Sequence, residues 1–333
     1  MVKILQKEDV FFHSLNGITS NSQVLIILHF DYFINKGDLK ILKNKYENII
    51  LIPIDESKSI TKNAEFIFEL IAKGNKITIV FNSFYKESFG DYFNFEFKNN
   101  KLISFIEVSK FCESMLKKCY VSDNINIHNS DIVNLKYFTI YPRIVKKTID
   151  WIFGIVIYVI SQPLWLISAI KIYFESPGPI FYIQSRIGIN NTNIRVFKFR
   201  SMRIDAEQNG AQFSNKNDDR IFPFGKIMRA TRIDELPQLF NILKGELSLI
   251  GPRPERKVFI ETFEEHIPHY NERHAIKPGI SGYAQIMYPY GAGLKDARHK
   301  LMYDLYYIKN WNLKLEAKII FLTIYTIVTK KGI

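Results

Sequence analysis

Between Trp151 and Ile170 the chain runs for twenty residues, WIFGIVIYVISQPLWLISAI, without a charge. That is the length at which a helix can cross the hydrocarbon core of a bilayer, where backbone polar groups must be paired internally. The ordinary reading is a single span. Two features point instead to a helix that enters, bends and returns. Ser161-Gln162-Pro163 interrupts the run near its middle, where proline removes a helix hydrogen bond and bends the axis. Arg143, Lys146 and Lys147 precede the run and Lys171 and Arg186 follow it, so the preference of cations for the cytoplasmic side asks for both ends in the cytoplasm. The bent backbone of such a helix needs partners, and the Ser161 hydroxyl is placed to supply one.

The charge on either side of this segment is unequal. Residues 1–140 carry 17 lysines, no arginine and 16 acids, whereas residues 141–333 carry all twelve arginines and 28 basic residues against 17 acidic ones. The first part reads as an ordinary soluble domain; the second is built to meet something anionic, such as phosphates, nucleic acid or acidic lipid. Cys112 and Cys119, seven apart with no Cys-x-x-Cys, read as reduced core thiols, with neither a zinc site nor a disulfide framework. The N-terminus MVKILQKEDVFF has too short an apolar run for a signal peptide, so the first domain is expected to stay in the cytoplasm.

Val24–Phe30, Ile49–Ile54 and Ile77–Phe81 are short, β-branched runs of buried-strand character. Helical periodicity lies between them, over Lys36–Tyr46 and Thr61–Lys73, which predicts a small parallel sheet with right-handed crossovers. Tyr92–Phe97 and Leu102–Ile106, joined by Lys98-Asn99-Asn100-Lys101, predict an appended hairpin. No G-x-G-x-x-G is present, so a dinucleotide site is not supported. The polar stretch Ser122–Asp131 reads as a linker. Near the end, the apolar run Ile319–Val328 is ten residues long, too short to span; with Lys330 and Lys331 behind it, it reads as an interfacial helix or a core helix.

Compact motifs fill the interval between. Glu175-Ser176-Pro177-Gly178-Pro179 is a rigid turn that closes the apolar helix and starts a strand. In Phe197-Lys198-Phe199-Arg200-Ser201-Met202, strand alternation puts Lys198 and Arg200 on one face, a paired cationic surface suited to a diphosphate or simply a solvated strand face. Arg229, Arg232, Asp234 and Glu235 precede Pro237, which suits a helix's first turn. The two carboxylates are thus expected at a helix N-terminus among cations, an arrangement for phosphoryl chemistry or merely for capping. In Gly251-Pro252-Arg253-Pro254-Glu255 two prolines fix an arginine's backbone, which suits a phosphate grip. Arg273, His274 and Lys277 lie in a Gly- and Pro-punctuated loop that either contacts a nucleotide or turns the chain.

In this order, from about Tyr141 to Ile333, these elements resemble the bacterial sugar transferase family, the monotopic phosphoglycosyl transferases that act on polyprenol phosphate. The matching pieces are the apolar helix, Ser-Pro-Gly-Pro, Lys-Phe-Arg-Ser-Met, Asp-Glu-Leu-Pro-Gln-Leu, Gly-Pro-Arg-Pro-Glu and Lys-Pro-Gly-Ile-Ser-Gly. The resemblance implies Asp234 as nucleophile toward the sugar-bearing phosphorus of a UDP-sugar, releasing UMP, with polyprenol phosphate then taking up the phosphosugar. It implies Glu235 as a ligand of Mg²⁺, Lys198, Arg229 and Arg253 as phosphate contacts, and Pro163 as the break of the re-entrant helix, which strengthens that reading over a span. Many relatives have Ser directly before that proline; here Gln162 intervenes after Ser161. Larger relatives carry a Rossmann-like module behind several transmembrane helices, and this chain is expected to hold the module without them.

The expected α/β architecture is therefore a Rossmann-like accessory domain (1–121), a linker (122–140), a membrane-embedded re-entrant helix (141–175) and a mixed α/β catalytic domain with amphipathic interfacial helices (176–333). The implied location is the cytoplasmic face of a bacterial inner membrane, and an α/β module beside a membrane could pair two copies as a homodimer. Three rivals stand beside this. A non-catalytic membrane-surface adaptor explains charge and helix but not Asp234-Glu235 among fixed arginines. A nucleic-acid-binding module has no use for the apolar run and no signature motif. A glycosyl transferase that moves the sugar alone would differ in product mass. The identity of the sugar is not legible; Ala206–Asp219 and Tyr288–Arg298 are segments that could select it.

Overall fold

The computed structural model describes residues 4–5, 20–28, 34–52, 67–82, 100–122, 132, 140–206, 208, 218–288, 291 and 293–329. These form two compact units, residues 1–127 and 128–333.

In the first unit five parallel strands, β1 (Ile4–Leu5), β2 (Gln23–Leu28), β3 (Asn48–Ile52), β4 (Lys76–Phe81) and β5 (Ile103–Glu107), stand in the order β1-β3-β2-β4-β5. The central strand β2 is buried from Val24 to Leu28, with Ile26 opposite Ile50 on one side and Ile79 on the other. Such near-continuous apolar runs are what a parallel sheet covered on both faces demands. Helix α1 (Lys36–Lys43) starts in a reciprocal capping box between Asn35 and Asp38. The second arm of the expected hairpin is β5, which pairs in parallel with β4, Ile103–Glu107 residue by residue against Ile77–Phe81. The first arm, Tyr92–Phe97, lies outside the described residues, as does most of the expected linker. Cys112 and Cys119 are both buried.

The second unit is organised along helix α2, Ile140–Glu175, whose 36 residues run through Pro163 without a break in helical assignment. At 1.5 Å per residue it is about 54 Å long. Among the described residues it is the one helix long and apolar enough to cross a membrane, and only 17% of its most apolar window is buried. Pro163 leaves the Val159 carbonyl without its i+4 donor, and the side chains beside it bond the carbonyl one residue earlier. Ser161 Oγ and Gln162 Nε2 both donate to the Tyr158 carbonyl, at 3.1 and 3.0 Å, and Trp165 donates to Ser161 Oγ at 3.0 Å. Gln162, the departure noted in the sequence, thus serves the same carbonyl as Ser161.

One stripe of α2 is buried, through Lys146, Asp150, Gly154, Ser161, Ser168 and Ile172. Against it lie the antiparallel pair β6 (Phe181–Ile187) and β7 (Asn193–Phe199), helix α3 (Pro223–Thr231), and a 3₁₀ turn (Ile233–Gln238) that continues into helix α4 (Leu239–Leu243). Trp165 packs edge-on against Phe199 and Phe240, with ring centres 5.3 and 5.1 Å away. Beyond come β8 (Ser248–Ile250), paired in parallel with β9 (Gly279–Ser281), and helices α5 (Lys257–His266), α6 (Tyr283–Met287), α7 (Leu294–Lys309) and α8 (Leu313–Val328). Helix α8 buries Glu316 and Ile319 and exposes Phe321, Ile324, Tyr325 and Val328.

Candidate active site

The short pairing of β6 with β7 delivers Lys198 toward the 3₁₀ turn that carries the two carboxylates. Helix α3 ends as Arg232 turns left-handed (φ 60°), and that turn aims Asp234 and Glu235 into the protein, where they are 8% and 5% exposed. They lie in the first turn of a 3₁₀ segment that includes Pro237, and the α-helical part begins only at Leu239.

The neighbours treat the two acids differently. Glu235 Oε1 accepts from Arg253 at 2.7 Å, meets Lys198 Nζ at 3.3 Å and lies 3.9 Å from Arg232. Burial alone would raise its pKa; Arg253, Lys198 and Arg232 together outweigh burial and hold the carboxyl below the usual range. Asp234 has one buried oxygen, Oδ1, with no hydrogen-bond partner among the described residues. Burial and the adjacent Glu235 charge push its pKa up to about 6, against the pull of Lys198, Arg229 and Arg232. The guanidinium of Arg253 is kept firmly protonated by Glu235. Burial pulls the Lys198 ammonium down, and Glu235 opposes it.

Thus Lys198, Arg229, Arg232, Arg253, Asp234 and Glu235, scattered over 56 positions of sequence, are brought together. Three other expected phosphate contacts are not part of this group. Strand β7 ends at Phe199, so Arg200 leaves the Lys198 face: it donates to the Pro179 carbonyl (2.6 Å), to Ser176 Oγ (2.5 Å) and to the Ser176 carbonyl, pinning the Ser-Pro-Gly-Pro turn. Arg273 is buried and donates to Asp304 (2.8 Å), Tyr270 Oη (2.8 Å) and the Arg253 carbonyl (3.0 Å). Lys277 stands by Lys147 and Asp150, near the start of α2. The expected loop around Arg273 is a 3₁₀ helix, Tyr270–Ala275, and its His274 is a buried ring kept neutral by burial and by Arg273, with its pKa near 3.

Sequence reasoning missed Asp304, Tyr270 and the part played by Arg186. Asp304 had a signal: it is an acid between Tyr303 and Leu305 on a helix whose neighbouring positions are buried. Of the two segments considered for sugar selection, Ala206–Asp219 is described only at its ends, where Arg220 ties the Ala206 carbonyl (3.0 Å) to Asp218 (2.6 Å). In the other, Tyr288 donates to Asp296 (2.8 Å) and stacks on His299 with ring centres 5.1 Å apart.

Among the described residues no group of three or more His, Cys, Asp or Glu could enclose a metal. A divalent cation held by one or two carboxylates together with substrate phosphates is the ordinary Mg²⁺ arrangement, however, and the residues fit that form. The three cations all address Oε1 of Glu235, which leaves its Oε2, and Asp234 Oδ1 is a buried oxygen without a partner.

The sequence model of the bacterial sugar transferase family matches residues 141–330. The UDP-N-acetylgalactosamine-undecaprenyl-phosphate N-acetylgalactosaminephosphotransferase of Aeromonas hydrophila is 45% identical over 207 residues, 62% of this chain and 49% of that protein. A UDP-glucose:undecaprenyl-phosphate glucose-1-phosphate transferase of Xanthomonas campestris pv. campestris is 37% identical over 210 residues, 62% of this chain and 43% of its own. The chain therefore spans less than half the length of these two relatives. The exopolysaccharide production protein PSS of Rhizobium leguminosarum bv. phaseoli is 37% identical over 193 residues, 56% of this chain and 96% of that protein.

Proposed function

The chain belongs to the bacterial sugar transferase family, and from that premise we propose that it transfers a phosphosugar from a UDP-sugar to undecaprenyl phosphate, with Asp234 as nucleophile. The carrying observation is the asymmetry of the carboxylates: Glu235 meets three cations through one oxygen, while Asp234 keeps a buried oxygen with no partner among the described residues. An unsatisfied buried carboxylate oxygen is costly, and among cations it is open to an incoming group.

In the first half-reaction an Asp234 carboxylate oxygen attacks the sugar-bearing phosphorus. The bond from that phosphorus to the bridging oxygen breaks, and UMP leaves with both electrons of that bond. Lys198, Arg229 and Arg253 contact the phosphates and offset the charge that develops on the leaving group. In the second half-reaction a phosphate oxygen of the lipid attacks the same phosphorus and Asp234 leaves as a free carboxylate, giving lipid diphosphate sugar. Water-soluble donor and lipid acceptor thus use one site in turn, with ping-pong kinetics. Glu235, with the substrate phosphates, would hold Mg²⁺, which neutralises diphosphate charge when bound.

Helix α2 completes the reading as a re-entrant element with both ends on the cytoplasmic face. In support, the same folded unit grips both of its ends. Lys146 pairs with Glu316 and Asp150 accepts from the Leu249 amide (3.1 Å), while Ile172 packs with Phe199, Phe222 and Met228, and Glu175 accepts from the Phe224 amide (2.7 Å). A helix crossing a hydrocarbon core about 30 Å thick would hold its two ends on opposite sides.

The function is tested by UMP release from a panel of UDP-sugars with undecaprenyl phosphate and Mg²⁺. Release by the wild type that vanishes in Asp234→Asn supports the reading and identifies the sugar; a fully active Asp234→Asn overturns the covalent step. For the helix, Lys147→Cys and Lys171→Cys, made with Cys112 and Cys119 replaced by alanine, should both resist an impermeant thiol reagent applied from the periplasmic side. Labelling of either one from that side would make α2 a span.

A further inference from the structure

Pro252 and Pro254 deprive the segment Pro252-Arg253-Pro254-Glu255 of two backbone donors. It cannot form a regular ladder and is held by its acceptors instead. All four successive carbonyls are taken, each by a different residue. Pro252 O accepts from the Gly279 amide (2.9 Å), Arg253 O from Arg273 Nη2 (3.0 Å), Pro254 O from Arg186 Nη1 (3.2 Å) and Glu255 O from the Ile187 amide (3.0 Å). The two backbone donors belong to β9 and the end of β6. The two side-chain donors are arginines, one on each side of Arg253.

Both arginines are themselves fixed. Arg273 is anchored by Asp304 and by Tyr270 Oη, all three buried. Arg186 lies along β6, where Gln184 Oε1 accepts from its Nε (2.9 Å), and it pairs with the Glu255 carboxylate at 3.4 Å. The seat under the segment is equally close-fitting. A Cβ on Gly279 would come within 2.1 Å of the Gly251 nitrogen, so a side chain there would push the two backbones apart. The product of all this bracing is one contact, Arg253 Nη2 on Glu235 Oε1 at 2.7 Å.

We infer that Arg186 and Arg273 are positioning residues that grip the two peptide carbonyls flanking Pro254, and so set where the Arg253 guanidinium meets Glu235 and the substrate phosphates. Neither arginine touches substrate; each acts through Arg253. The inference rests on the proposed phosphosugar transfer for its readout. It assigns a positioning role to Arg273, expected from the sequence as a phosphate contact, and to Arg186, which the sequence placed only among the cations after the apolar helix. Displacement of a catalytic group by about 1 Å can cost on the order of 100-fold in rate. A partial loosening of the segment should therefore cost about 10-fold in kcat/KM.

The test is a double-mutant cycle on the full chain in membranes, with UMP release as the signal. Arg186→Lys and Arg273→Lys keep the charge but not the forked donor. Each is expected to lower kcat/KM about 10-fold in the wild-type background and less than 2-fold in an Arg253→Lys background, since only effects routed through Arg253 are non-additive with it. A full 10-fold loss in both backgrounds overturns the inference, as does wild-type activity of both single variants. If Arg273→Lys fails to fold, Arg186→Lys, nearer the surface, carries the cycle alone. Where turnover in the Arg253→Lys series is too low to compare, titration of the same proteins with UDP reads the same coupling. A wild type that releases no UMP with any donor would defeat the proposed function, whereas an active wild type with additive variants defeats only the clamp.

Discussion

Each unit of this molecule buries an aspartate beside a lysine, and the two aspartates are treated in opposite ways. In the first unit Asp38 and Lys118 pair at 1% and 0% side-chain exposure, and the same Asp38 oxygen accepts from the Asn35 amide at 2.8 Å. It is a closed arrangement in which the carboxylate caps a helix and neutralises a buried cation. In the second unit Lys198 faces two adjacent carboxylates and goes to Glu235, and Asp234 keeps an oxygen with no partner. Burying a charge is tolerable when it is paired. The Asp38 pair obeys that rule and gives the sheet one defined helix start, while the Asp234 site violates it at one atom, where a nucleophile would need to be free. The same chemistry, closed, is architecture; left open, it has the form the proposed reaction needs.

The largest expected effect is on turnover. Asp234→Asn removes the nucleophile and should cut UMP release by at least about 1,000-fold, the scale on which loss of a covalent nucleophile is felt. Loss of less than about 10-fold would place the nucleophile elsewhere.

Next comes the closed pair. Asp38→Asn keeps the shape and the cap acceptor but removes the carboxylate opposite Lys118, which should destabilise the first unit by about 3–5 kcal/mol. Hydrogen exchange of the amides of β2 and β4 in the full chain reads this as a loss of protection. Unchanged protection would mean that Lys118 is neutralised without Asp38, and the contrast between the two sites would lose its first half.

The third effect has the reverse sign. Because the folded-state pKa of Asp234 lies at about 6 and above its unfolded value of 3.8, the folded protein binds the extra proton between those values. Stability therefore falls as pH rises through that window, and the penalty is complete above it. Asp234→Asn abolishes the penalty and should stabilise the second unit by about 3 kcal/mol at pH 8. That corresponds to a Tm rise of roughly 6–12 °C. A variant that is dead and more stable is what an open site predicts; a dead and less stable one would mean that Asp234 is held by interactions of the closed kind.

Much of this was legible before any coordinates, for reasons that differ by residue. The parallel strands announced themselves because a sheet buried on both faces needs continuous β-branched runs, and Val24–Leu28 and Ile77–Phe81 are such runs. The helix now seen over Ile140–Glu175 was legible because no other uncharged stretch of that length is so continuously apolar. The Asp234-Glu235 pair and Arg253 were legible because prolines fix their surroundings locally. Arg200, Arg273 and Lys277 stand apart from the Asp234-Glu235 group, a separation the sequence could not show because charge type is visible in it and position is not. Among the acceptors that claim Arg200 and Arg273 are backbone carbonyls at 176, 179 and 253, which every residue has. The parallel pairing of Ile103–Glu107 with Ile77–Phe81 was not legible, because local pattern cannot tell a parallel partner from an antiparallel one.

The smallest effect bears most directly on which carboxylate reacts. A nucleophilic Asp234 must be ionised, so kcat/KM for UMP release should rise with pH through a midpoint of about 6, the value at which burial and the Glu235 charge set its titration. Glu235, held well below that range by Arg253, Lys198 and Arg232, would give no limb there. Arg232 is one of the cations that lower the Asp234 pKa, and it is partly exposed, so its pull is screened. Arg232→Gln should move the midpoint upward by roughly half a unit, without moving any alkaline limb. A downward shift would overturn the assignment, because removing a positive charge raises the pKa of any acid beside it. No limb between pH 5 and 7 would mean that both carboxylates are already ionised, and the open site would differ from the closed pair in geometry alone.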